Sequence, residues 1–208
     1  MTTLTYLALG DSYTIGEGVA EDRRWPLQLA AALRQLRIPL QDPRIIATTA
    51  WATDELAHAM DDAALTDASW DFVTLLIGVN DQYRHRALPE FATGFDALLH
   101  RAELLSKRGA AGVMVLSIPD WGGTPYAQKE GRDAAQVSHE LDAYNRHIAT
   151  MCAAQGVGFV DISTASRACT PQAGMLTDDG LHPSATQYAE WTRLALPTAR
   201  RQLEAHAA

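Results

Sequence analysis

Cysteine is scarce: Cys152 and Cys169 are the only two in 208 residues. Two cysteines exclude a disulfide framework, and their spacing from histidine fits no zinc pattern. Both are expected as small buried hydrophobes. Positive charge is also in deficit, with a formal net charge of -8 and an isoelectric point near 5.3. With no basic run to meet a phosphate backbone, nucleic acid is excluded as a partner. No apolar run approaches the roughly 18 residues of a membrane span. The start carries no basic segment leading into a long apolar one, so no leader is read and a cytoplasmic location is expected. Instead, Met1–Leu9 already has the look of a core strand.

What is present is a hydrophobic content of 47%, enough in 208 residues to bury a substantial core. The chain reads as one domain spanning residues 1–208. Short, partly β-branched apolar runs at Leu4–Leu9, Arg44–Thr48, Phe72–Ile77, Gly112–Ile118 and Val157–Asp161 predict strands covered on both faces. Helical spacing predicts Trp25–Leu36, Asp54–Ala64, Phe91–Ser106, Ala134–Ala154 and Ser184–Leu203, the last kinked or divided by Pro197. Strands alternating with helices imply right-handed crossovers: an α/β fold, a three-layer α/β/α sandwich on a mainly parallel five-stranded sheet. The longest irregular stretch, from Pro119 to about Asp133, reads as a functional loop.

Three short motifs stand where strands end, the usual location of ligand sites in open α/β sheets. Gly10-Asp11-Ser12 follows the first strand and supplies a hydroxyl, a poor nucleophile until a base takes its proton. Asp179-Gly180-Leu181-His182 supplies that base, since a carboxylate three residues before an imidazole can fix its tautomer and stabilise its protonated form. Pro183 holds His182 in extended geometry and suits the first position of the next helix. Gly78-Val79-Asn80-Asp81 follows the third strand and offers a side-chain amide to a developing oxyanion. Each motif alone has a bland reading: Asp179 as a cap, His182 as a solvated ring, Asn80 as a turn residue.

Together the three blocks resemble the nucleophile, oxyanion and Asp-x-x-His blocks of the SGNH (GDSL-type) hydrolases, in the same order and across essentially the whole chain. The resemblance implies a flavodoxin-like sheet, Ser12 as nucleophile, His182 as base, Asp179 as its orienter, and a small-molecule acyl ester as substrate. No metal site is indicated by the histidines, and no cofactor is expected. The oxyanion would be held by the N–H of Ser12, the amide of Asn80 and a backbone N–H from a second block. That block normally supplies a glycine, but Ala47–Leu56 contains none. Ala50 takes the position, or Ala52 in a shifted register. Alanine serves there unstrained if its φ is negative, and at a cost if φ is positive.

Other residues carry open alternatives. Tyr83, Arg84, His85 and Arg86 touch substrate or form a solvated loop face. Trp121 and Tyr126 wall an acyl pocket or anchor their own loop. Met60 and Met114 read as core fillers, and His58, His100, His139 and His147 as surface or satisfied core residues. A competing function is a flavin- or phosphate-binding module, since Ser12–Gly16 suits a hydroxyl-rich anion loop; that reading leaves Asn80, Asp179 and His182 idle.

Overall fold

The computed structural model describes residues 3–170 and 172–205, so Met1 and Thr2 of the expected opening strand lie outside the described residues. In chain order the elements are β1 (Tyr6–Gly10), α1 (Ser12–Ile15), α2 (Trp25–Gln35), β2 (Arg44–Ala47), α3 (Thr53–Asp62), β3 (Phe72–Leu76), α4 (Val79–Tyr83) and α5 (Leu88–Leu105). There follow β4 (Val113–Leu116), α6 (Pro125–Lys129), α7 (Ala134–Gln155), β5 (Gly158–Val160), α8 (Ser163–Cys169) and α9 (Ala185–Glu204). All four strand pairings are parallel, in the order β2-β1-β3-β4-β5. Every residue of β1, β3 and β4 is buried, as both-face coverage requires.

The strand order dictates the layers. The chain steps from β1 to β2 in one direction, then from β2 past β1 to β3 in the other. With right-handed crossovers, that reversal puts α2 on one face and α3, α5 and α7 on the opposite one. The packing agrees: α2 lies against α9, whereas α5 lies against α3 and α7. The neighbouring carboxyl ends of β1 and β3 form the switch point, where a crevice opens between diverging connections.

Several expectations are refined. Helix α9 runs through Pro197 without dividing, and begins at Ala185 behind an N-cap Ser184, so Pro183 precedes the helix instead of opening it. The stretch from Pro119 to Asp133 is not wholly irregular. Thr124 accepts from the Ala127 N–H and Pro125 follows at the first helical turn, which together start α6. Met60 and Met114 are buried in the core, and Cys152 and Cys169 are buried and free. No helix among the described residues is long and apolar enough to cross a membrane.

Candidate active site

Ser12 opens α1, a single turn clipped at both ends. Asp11 Oδ1 accepts from the Tyr13 N–H at 3.0 Å, and Gly16 closes the turn in left-handed geometry with φ 71. The β1-to-α1 bend tolerates no side chain at Gly10. A Cβ there would lie 2.2 Å from Thr14 Oγ1 and 2.4 Å from the Leu76 carbonyl oxygen. Ser12 therefore stands at the first helical position, where a backbone N–H has no partner within the helix.

His182 comes from a loop pinned on both sides. Thr177 N–H donates to the His182 carbonyl at 2.8 Å, Ser184 N–H to the Met175 carbonyl at 2.8 Å, and Leu176 bridges Pro183. Asp179 does not cap the next helix, whose N-cap is Ser184, but it braces its own turn and meets the imidazole. Its Oδ1 accepts from the N–H groups of Leu181 at 2.8 Å and His182 at 3.0 Å and from Thr177 Oγ1 at 2.8 Å. Its Oδ2 meets His182 Nδ1 at 2.6 Å. Burial raises the Asp179 pKa, but these hydrogen bonds, led by those from His182, outweigh it and bring the carboxyl down to about 2. With Nδ1 donating to Asp179, Nε2 is the nitrogen left to accept a proton. The imidazole is buried, with the Tyr13 ring edge-on at 5.7 Å.

Asn80 and the loop before α3 form the third side. Asn80 Nδ2 donates to the Trp51 carbonyl at 2.8 Å, which uses one of its two amide hydrogens. Ala50 has φ 70, so the alanine at the position of the resembled block's glycine sits in the left-handed region. That conformation costs an alanine about 1–2 kcal/mol, and it persists where the surroundings over-determine it. Here they do. Thr49 Oγ1 donates to Glu17, Arg84 Nη2 donates to the Ala50 carbonyl at 2.6 Å, and Asn80 holds Trp51. Asp81, wholly buried, accepts from both the N–H and the hydroxyl of Thr53 and from Arg86. Burial pushes its carboxyl up despite those donors. In this way α4 is riveted to the start of α3.

Ser12, Tyr13, Thr49, Ala50, Val79, Asn80, Tyr83, Trp121, Tyr126, Leu181 and His182 line a single cleft of about 290 Å³. Ser12 Oγ and His182 share it without a direct hydrogen bond, a contact that in unliganded enzymes commonly tightens only once substrate is bound. The resembled blocks thus meet at one place, together with the aromatic residues expected near the substrate. Arg84, His85 and Arg86 turn elsewhere: Arg84 to Ala50 and Glu55, Arg86 to Asp54 and Asp81, and His85 to Arg132. Glu55 and Asp81 were not legible as residues of the site, although an acid directly after Asn80 was a visible cue, and Thr53, expected as the N-cap of α3, is instead its first residue behind Ala52. Among the described residues, no group of three or more His, Cys, Asp or Glu side chains is placed to hold a metal ion.

Residues 8–190 match the GDSL-like Lipase/Acylhydrolase family. The chain belongs to that family. It is accordingly an ester hydrolase, on a fold shared with solved members. The crystal structure of TesA superposes with a TM-score of 0.72 at 18% identity, covering 95% of this chain and 99% of its own. Axe2, an acetylxylan esterase from Geobacillus stearothermophilus, gives 0.71 at 17% identity, with 94% of each chain covered. A lipolytic G-D-S-L protein from Veillonella parvula gives 0.70 at 16%, covering 93% of this chain and 96% of its own. No curated protein sequence matches the chain.

Two consequences are measurable in this family member. Replacing Ala50 by glycine removes the left-handed strain while loosening the unfolded chain, for a net gain of roughly 0.5–1 kcal/mol. A raised denaturant midpoint for Ala50→Gly is expected, and a lowered one would deny the strain. Burial, opposed by the Tyr13 N–H, pushes the wholly buried Asp11 carboxyl up to about 8. Its Oδ2 has no partner. A carboxyl raised in the folded state binds a proton that the unfolded chain releases near pH 4, so folding loses stability between about 4 and 8. The unfolding free energy of Asp11→Asn should fall less steeply over that window than that of wild type; parallel slopes would refute it.

Proposed function

We propose that residues 1–208 form one catalytic domain that cleaves short-chain carboxylic esters through an acyl-enzyme on Ser12. The observation that carries this reading is the shared cleft of Ser12, Ala50, Asn80 and His182, with Asp179 bonded to the far side of the imidazole. His182 Nε2 takes the Ser12 hydroxyl proton as Oγ attacks the ester carbonyl. The N–H groups of Ser12 and Ala50 and the second amide hydrogen of Asn80 face the developing oxyanion. Collapse of the tetrahedral adduct expels the alcohol, which leaves with the proton held on His182. Water, activated by the same imidazole, then releases the acid and restores the hydroxyl. Asp179 stays ionised throughout and stabilises the imidazolium.

A cleft of about 290 Å³ sits at the bottom of the size range of small-molecule pockets. Its aromatic and aliphatic lining suits a compact acyl group better than a long one. That Axe2 is an acetylxylan esterase supports the same direction, and O-acetyl groups and thioesters are the variants to compare. The flavin- or phosphate-binding alternative leaves the Asp179–His182 pair unused.

Ser12→Ala, folded as wild type, should abolish hydrolysis of p-nitrophenyl acetate and labelling by a fluorophosphonate. Turnover above about a thousandth of wild type would reject Ser12 as nucleophile. For Asn80→Ala the expected loss in kcat is about 10²–10³, the usual effect of deleting one oxyanion donor. An unchanged kcat would remove Asn80 from that role.

A further inference from the structure

The aromatic wall of the cleft is held from behind by one cation. Arg132, where the chain leaves α6, directs Nη2 to the Tyr83 carbonyl at 2.7 Å and Nη1 to His85 Nε2 at 2.7 Å. A guanidinium can only donate, so the His85 ring accepts at Nε2. The Arg132 Cζ lies 4.8 Å from the Tyr83 ring centroid and 5.4 Å from that of Trp121. Those rings are tilted together at 5.5 Å, and Trp121 continues to Tyr126 at 6.3 Å. Arg132 itself is fixed by its N–H to the Ala127 carbonyl at 2.9 Å.

Tyr83 and Trp121 come from different strand ends, and their backbones are not hydrogen-bonded to each other. The other tie on this wall joins Trp121 Nε1 to Gln82 Oε1 at 2.8 Å, and Gln82 in turn to Glu140 at 2.6 Å. That tie anchors the indole alone. The phenol of Tyr83 is held by Arg132 and by a long 3.4 Å contact with the Tyr126 hydroxyl. A planar guanidinium can lie near both rings while donating along its own plane to a carbonyl and an imidazole, a fixed fork that a lysine ammonium lacks.

We propose that Arg132 is a positioning residue for substrate selectivity. It fixes Tyr83 against Trp121 and so sets the width of the cleft opposite the reacting carbonyl. Arg132 lines no part of the cleft. Its effect therefore falls on how well the acyl group is gripped, and on KM more than on kcat. The inference rests on the esterase reading above and extends it to acyl-length discrimination.

The test is a p-nitrophenyl ester series from acetate to octanoate with wild type, Arg132→Ala and Arg132→Lys. The expected result is a rise in KM for the preferred ester on the order of tenfold in both variants. A smaller change in kcat and a flattened ratio between short and long acyl chains should accompany it. Lysine should not restore the profile, and it covers the case in which the alanine variant fails to fold. A merely structural role would lower Tm and leave the chain-length ratio unmoved. An active enzyme, labelled at Ser12, whose lysine variant keeps the wild-type KM and chain-length profile would overturn the inference alone. A wild-type chain that turns over no ester and takes no label at Ser12 would overturn the esterase reading and the inference with it.

Discussion

The reversal of winding after β2 is the constraint on which the site depends. A right-handed crossover in each direction leaves the carboxyl ends of β1 and β3 side by side with their connections diverging to opposite faces. Ser12 follows one of those ends and Asn80 the other, so the spacing between hydroxyl and amide is set by strand pairing. Register pairs Gly10 with Leu76, and the short turns beyond those residues leave little freedom. The absence of a side chain at Gly10 is part of the same constraint, because any Cβ would push α1 away from β3.

Strand pairing does not place the loop that carries Ala50. Charge does, from the buried Asp81 on one side and the exposed Arg84 on the other. Asp81 is removed from water and satisfied by the start of α3 and by Arg86, while Arg84 spans from Glu55 to the Ala50 carbonyl. Leaving a buried carboxylate unpaired costs far more than such a pair contributes at a surface, so the network has few alternative arrangements. Arg84 on the Ala50 carbonyl and Asn80 on the Trp51 carbonyl flank the left-handed backbone at Ala50, which glycine would adopt freely. In the proposed mechanism this residue is an oxyanion donor, and its strain is offset by contacts made on either side of it.

Much of this was legible beforehand. Runs such as Phe72–Leu76 and Val113–Leu116 are apolar, β-branched and short, which signals strands covered on both faces. The helices between them keep a 3.6-residue rhythm over ten residues or more. The Asp179–His182 pair was readable because a spacing of three residues brings both side chains to one turn. Short elements were less visible. Helices α1, α4 and α6 span only four or five residues, too few for periodicity to register. The undivided course of α9 through Pro197 also ran against local propensity. Trp191, Ala195, Ala199 and Leu203 bury one face across the proline, and that packing outweighs the lost backbone bond.

By itself the sequence determined the order and kind of the main elements and the residue types at each strand end. Those properties depend on neighbours within a few positions. The sign of φ at Ala50, the turning of Arg84 and Arg86 away from the cleft, and the approach of Arg132 to the Tyr83 and Trp121 rings were decided only by tertiary structure. Each of these depends on partners tens of residues distant, from Ala50 to Arg84 and from Tyr83 to Arg132. No local pattern encodes which of several possible partners a long cationic side chain reaches once the layers have closed.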